Sequence, residues 1–248
     1  MYKTFFYHKE FLKKFTQTIL CTLFNSRLRL REILTFVSMR QKRVYMTVSS
    51  DLATDNRVDR SCTLLTELGY SVFLIGRVKK DSPEMPQRSY GFKRMKLLFE
   101  KGALFYAVLN FRLFIELLFT RIDYLFANDL DTLPAAYLIS KLKRVPLIYD
   151  SHELFTEVPE LVERPNIQKI WLQIEKWIFP KLKFAITVNE SIAHIFEEKY
   201  HTKVAVVRNV PIRIAAIQPL SKTELELSEQ TKMLIIQGSG LNVDRGIE

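Results

Sequence analysis

Glycine is scarce in this chain, 7 residues of 248, and the first of them is Gly69. The turn after the first strand-like run, "SSDLATDNRVDR", therefore has no G-x-G-x-x-G, the pattern whose glycines let a pyrophosphate approach the backbone. That disfavours a conventional dinucleotide site in this half. Cysteine is scarcer still. Cys21 and Cys62 are the two, at no zinc spacing and in no disulfide framework, so a reducing, cytoplasmic compartment is the expectation. No run approaches the roughly 20 apolar residues of a membrane-spanning helix; the nearest, Ala103 to Thr120, is interrupted by Asn110, Arg112 and Glu116. The apolar run Ile19 to Phe24 is short, has no small-residue cleavage site after it and carries Leu20 before Cys21, which speaks against a secretory or lipoprotein signal. No repeat recurs at solenoid spacing, and 9 prolines beside so little glycine argue against disorder or a collagen-like chain.

What is there is apolar and basic. With 48% hydrophobic residues the chain can bury the core of one large domain, or of one domain and part of another. The net charge of +10 is concentrated: residues 1–43 hold ten Lys/Arg against two Asp/Glu, while the remaining 27 and 25 nearly cancel. In that extension cations interleave with Phe, Leu and Ile, which suits an amphipathic helix lying on an anionic membrane surface. An extension packed on the body is the alternative. The interleaving fits acyl chains better than a phosphate track, so no nucleic-acid partner is expected.

From Val44 onward short apolar runs alternate with helical periodicity. Strands are expected at 44–49, 71–76, 124–127, 146–149, 184–188, 204–207 and 233–236, mostly apolar on both faces as in parallel sheets covered by helices. Between them, Val58, Cys62, Leu65 and Leu68 make a helical stripe stopped by Gly69. Ile167, Ile170, Trp171, Ile174, Trp177 and Ile178 make another between Pro165 and Pro180. A third helix has Asn189 as its N-cap and buries Ile192, Ile195 and Phe196. Ala103–Ile122 reads as a long core helix, or as a second apolar surface beside the ligand cleft. The alternation implies a doubly wound α/β, Rossmann-like sheet over residues 44–211. Residues 212–231 read as a linker, and 232–248 as the first strand and helix start of a second domain whose remainder is missing.

In an open parallel sheet ligands bind beyond the carboxyl ends of the strands, and here the strands end in polar residues: Ser50 and Asp51, Asn128 and Asp129, Asp150 to Glu153, Asn189 and Glu190, Arg208 and Asn209. Asp51, Asp55 and Arg57 suit sugar hydroxyls, the carboxylates accepting and the guanidinium donating; Asp55 reads equally as a helix cap. Asp129 and Asp131 form a D-x-D that could hold a divalent cation, but with Pro134 following they read better as an ordinary helix start. His152 is the histidine at a strand's carboxyl end, where it can exchange a proton or donate to a developing charge. A structural histidine is its alternative reading, and no Cys or second His stands at zinc spacing. In "QGSGLNVDRG", Gly238 and Gly240 let a turn approach a ligand and Arg245 adds a fixed positive charge, which together suit a diphosphate.

Taken in order, "SSDLATDNRVDRSCTLLTELGYSVFLIGR", "FANDLDTLPAAYLISK", "LIYDSHELFTE", "ITVNESIA", "VVRNVP" and "IIQGSGLNVDRGIE" resemble the bacterial glycosyltransferases of family 4, enzymes of the two-domain GT-B fold. The resemblance implies transfer of a sugar from a nucleotide-sugar, with retention of configuration, to a glycan or lipid-linked acceptor, without metal or cofactor. It implies His152 near the reacting sugar, Asp51, Asp55 and Arg57 in the first loop on the acceptor side, and Arg245 at the donor diphosphate. Asp129, Glu153 and Asn209 join the acceptor side by their places at strand ends, and Gly238 and Gly240 the donor side by their turn. Ser239 stands where many members have an arginine, and the family's acidic donor pair would fall beyond Glu248. The chain is thus expected to be an inactive fragment on its own, on the inner face of the plasma membrane. A non-catalytic membrane module with an α/β body is the rival expectation.

Overall fold

The structure, a computed structural model, describes residues 41–210, 218–228 and 230–235. Seven strands form one parallel sheet in the order β3-β2-β1-β4-β5-β6-β7. They are β1 (Arg43–Asp51), β2 (Ser71–Val78), β3 (Gly91–Lys96), β4 (Tyr124–Asn128), β5 (Leu147–Ser151), β6 (Phe184–Thr187) and β7 (Val204–Val206). Helices α1 (Asn56–Glu67), α2 (Gly102–Leu118), α3 (Leu133–Lys143), the short α4 (Pro159–Val162), α5 (Pro165–Ile178) and α6 (Glu190–Tyr200) connect them. The expected doubly wound, Rossmann-like architecture is therefore the one observed. The chain steps outward from β1 to β3 and returns to β4 on the other side of β1. The crevice at the carboxyl ends of β1 and β4 is the place where such sheets hold ligands.

Alternating side chains feed two core layers. On one, Leu125 and Ala127 of β4 pack with Leu109 and Leu113 of α2, Ala136 and Ile139 of α3, Trp171 of α5 and Phe196 of α6. On the other, Phe126 packs with Met46 and Val48 of β1 and with Val58, Cys62 and Leu65 of α1. Both sheet faces are covered, which explains why the strands read as continuous apolar runs. Gly69 takes φ 90 just past α1, a left-handed position that favours glycine.

Three expectations need correcting. β3 was not anticipated, because "GFKRMK" is an edge strand whose single buried residue is Met95. In α6 Asn189 caps as expected, its Oδ1 accepting from the Ile192 N–H at 2.9 Å, but Ala193, Phe196 and Tyr200 are buried and Ile195 is 40% exposed. Residues 233–235 form no strand and are exposed. A run with no neighbouring ladder cannot satisfy its backbone as a strand. The basic extension, over residues 1–40, lies outside the described residues.

Candidate functional site

The crevice between β1 and β4 is locked by short polar side chains. Thr47 Oγ1 donates to the Phe126 carbonyl at 3.1 Å, Asn128 Nδ2 donates to the Thr47 carbonyl at 2.9 Å, and Thr132 Oγ1 donates to the Asn128 carbonyl at 3.0 Å. All three residues are buried. Buried polar groups are retained when they are bonded, and these bonds fix how β1 ends beside β4.

The first loop turns inward. Asp55 caps α1, its Oδ1 accepting from the N–H groups of Arg57 and Val58, each at 3.1 Å, while Ser50 Oγ donates to its Oδ2. Asp51 is 5% exposed and accepts from Ser82 Oγ, from the Ala53 N–H at 3.1 Å and from Arg94 Nη2 at 3.2 Å. Burial pushes its carboxyl up, but those donors together hold it below the ordinary value. For Asp55 the sequence left a sugar contact and a helix cap equally open, and the structure shows the cap. Asp51, expected toward an acceptor, is held by Ser82, the Ala53 N–H and Arg94 of β3 within the body.

The residues that do converge come from the ends of β4 and β5 and the start of α1. Asp129 follows β4 at φ 64, a left-handed backbone that aspartate tolerates better than most residues. Its N–H donates to the Asp150 carbonyl at 2.9 Å and its Oδ1 accepts from the His152 N–H at 3.2 Å. Arg57 Nη2 lies 3.8 Å from Asp129 Oδ2 and Arg57 Nε 3.8 Å from Asp55 Oδ1, with the guanidinium partly in solvent. The imidazole of His152 is 6% exposed, its Nε2 3.7 Å from Asp150 Oδ2, and neither ring nitrogen has a hydrogen-bond partner among the described residues.

The charges around it are unusual. Burial pushes Asp129 up to about 6 against the pull of Arg57, and pushes Asp150 up to about 6 against His152. Asp131, 5% exposed with Oδ1 unbonded, is pushed up to about 7 by burial and then by the Asp129 charge. Burial likewise lowers the His152 pKa, which Asp150 only partly offsets. The site therefore presents a neutral imidazole at pH 7, one nitrogen free to accept and the other to donate. Neither member of the D-x-D starts the helix as expected: Thr132 is the N-cap of α3, without a side-chain bond. Among the described residues no group of three or more His, Cys, Asp or Glu could hold a metal ion.

Glu153 follows His152 at the rim and is exposed, its charge adding to the upward push on Asp129. Asn209 is exposed beyond β7, two strands over from β5. Gly238, Gly240 and Arg245 lie outside the described residues. The sequence reading did not single out Asp150 or Arg94. The signal for Asp150 was its place two residues before His152, at the end of a run of apolar strand residues.

The family model of Glycosyltransferase Family 4 matches residues 56–210, more than half of the chain. Sucrose-phosphate synthase from Thermosynechococcus elongatus superposes with a TM-score of 0.52 at 12% identity, over 68% of this chain and 48% of that one. A UGT transferase from Siraitia grosvenorii in complex with UDP gives a TM-score of 0.50 at 9% identity, over 75% of this chain and 54% of that one. At such identities the likeness is one of fold, and the chain spans about half the length of the structures it matches. No curated protein matches it. The matched span runs from the first residue of α1 through β7 and includes Arg57, Asp129, Asp150 and His152, so the chain belongs to Glycosyltransferase Family 4 and carries the Rossmann-like part of the GT-B fold.

Proposed function

We propose that this chain is the acceptor-side body of a glycosyltransferase that moves a sugar from a nucleotide-sugar to a hydroxyl of a glycan or lipid-linked acceptor. Retention of configuration and a role in bacterial cell-surface polysaccharide synthesis are part of the proposal, as is attachment to the inner membrane face through residues 1–43. One observation carries it: an imidazole buried at the carboxyl edge of the sheet, neither of whose nitrogens has a hydrogen-bond partner among the described residues. Buried polar atoms without partners are rare in proteins. Both nitrogens are shielded from solvent, so a sugar hydroxyl would pair with one of them once the rim around Glu153 gives way, donating to it or accepting its N–H. Arg57, half in solvent beside Asp129, offers further donors to the same ligand. On the donor side, Arg245 and the N–H groups after Gly238 and Gly240 would meet the departing diphosphate, so that electrostatic stabilisation is the main catalytic contribution.

A panel of nucleotide-sugars screened by thermal unfolding of the full-length enzyme, donor domain included, tests the donor. The right one, at a concentration of 100 times Kd, should add about 2.7 kcal/mol to stability. His152→Ala in the active enzyme should then lower turnover by roughly 10²-fold. Near-wild-type turnover would leave His152 a structural residue and remove the support for the proposal.

A further inference from the structure

α2 departs from the usual surface helix, which has one apolar stripe. Phe105, Leu109, Leu113 and Leu117 face the core, each at most 4% exposed. The opposite side is apolar as well: Leu104 is 59% exposed, Phe111 66%, Ile115 40%, and Phe119, the C-cap, 84%. Its two charged residues are turned to β3, Arg112 donating to the Lys96 carbonyl and Glu116 accepting from Lys93 Nζ at 2.6 Å. A helix that is hydrophobic all round is normally covered all round. A large exposed apolar strip marks a surface meant for contact.

Exposed apolar side chains lie on the neighbouring helices as well. α2 packs on α3, and α3 on α5. Leu142 of α3 is 61% exposed and Trp177 of α5 51% exposed. The Trp177 ring meets Tyr137 of α3 edge-on, centroids 5.5 Å apart, and a cation lies over each: Lys181 Nζ 4.7 Å from the Trp177 centroid, Lys141 Nζ 5.3 Å from that of Tyr137. Lys143 Nζ donates to the Thr120 carbonyl, bringing Phe119 beside the basic end of α3. Aromatic rings and long cations around aliphatic side chains are the chemistry of a membrane interface.

We propose that the outer face of α2, α3 and α5 docks on an anionic lipid bilayer. Charge separates this occupant from the others. A second copy docked face to face would press together two surfaces of the same sign, each carrying Lys141, Lys143 and Arg144. Residues 1–40 carry eight Lys/Arg against two Asp/Glu and would meet the same repulsion. An anionic headgroup layer attracts every one of these cations while the apolar side chains enter the acyl boundary. The docking uses none of the residues around His152, so its failure would leave the proposed sugar transfer standing.

The test is co-sedimentation of the full chain with phosphatidylcholine vesicles, with and without phosphatidylglycerol. Binding should require the anionic lipid and weaken with salt. The double variant Phe111→Ser, Phe119→Ser, with both changes at exposed positions, should keep the wild-type melting temperature and bind about tenfold or more weakly. Of the two tryptophans Trp171 is 5% exposed, so Trp177 is the reporter at the face. Its emission should shift to the blue on the vesicles and be quenched by lipids brominated in the acyl chain. Unchanged binding by the double variant, an unquenched Trp177, or a dimer abolished by the same substitutions would each overturn the proposal.

Discussion

Replacing Asp131 by asparagine should stabilise this protein at pH 8 and leave it no more stable at pH 5. In the folded protein the Asp131 carboxyl is pushed up to about 7, first by burial and then by Asp129, while the unfolded value is 3.8. Between those two values the folded state keeps a proton that the unfolded state has released. Stability therefore falls as pH rises through that window, and the full cost is present above about 7. A rise of about three pKa units corresponds to about 4 kcal/mol. The asparagine amide gives back part of this, because it weakens the bond from Ser49, so the gain at pH 8 should be about 2 kcal/mol. For a body of this size that is about 6 °C in Tm. Urea unfolding of both proteins at several values between pH 5 and pH 8 measures it. Parallel stability curves, or a loss at pH 8, would refute the idea that a buried, underbonded charge sits at the end of this crevice.

Arg94→Met should leave Asp51 buried without its guanidinium partner and cost about 3 kcal/mol at pH 7. Because the Asp51 carboxyl is held below its ordinary value, the stability it provides is present above that value and is lost as pH falls. Urea unfolding should therefore show the Arg94→Met deficit shrinking only as pH falls below 3.8 and on through the lower folded value, where the carboxyl takes up its proton in the folded state as well. Asp55→Ala removes the acceptor of two α1 N–H groups and should lower stability by about 1 kcal/mol, read as a drop of about 3 °C in Tm by calorimetry.

The sheet was legible because each buried strand writes an apolar run that stops at a polar edge. "YLFA" and "LIY" predicted β4 and β5 to within a residue or two. β3 was hidden for the opposite reason: at the sheet's edge its Lys93, Arg94 and Lys96 read as a loop. The period of α5 was clear, but not which part of its wide stripe meets the sheet. Trp171 and Ile178 do, whereas Ile167, Ile170 and Trp177 face outward. At the candidate site, the strand ends named the edge where Asp129, Asp150 and His152 converge. The destination of each carboxylate was not readable, because it depends on partners remote in sequence. Asp51 finds Arg94 across 43 residues, and Asp129 turns beneath the N–H of His152, 23 residues on.

The charged edge strand has a consequence for how the protein keeps to itself. A strand from another molecule approaching β3 would meet Lys93, Arg94 and Lys96, whose desolvation opposes zippering. At the opposite border of the described sheet, β7 offers a template of three residues, too short to hold a visitor. Lateral growth, the route by which sheets assemble into fibres, is thus opposed by charge on one flank and by brevity on the other.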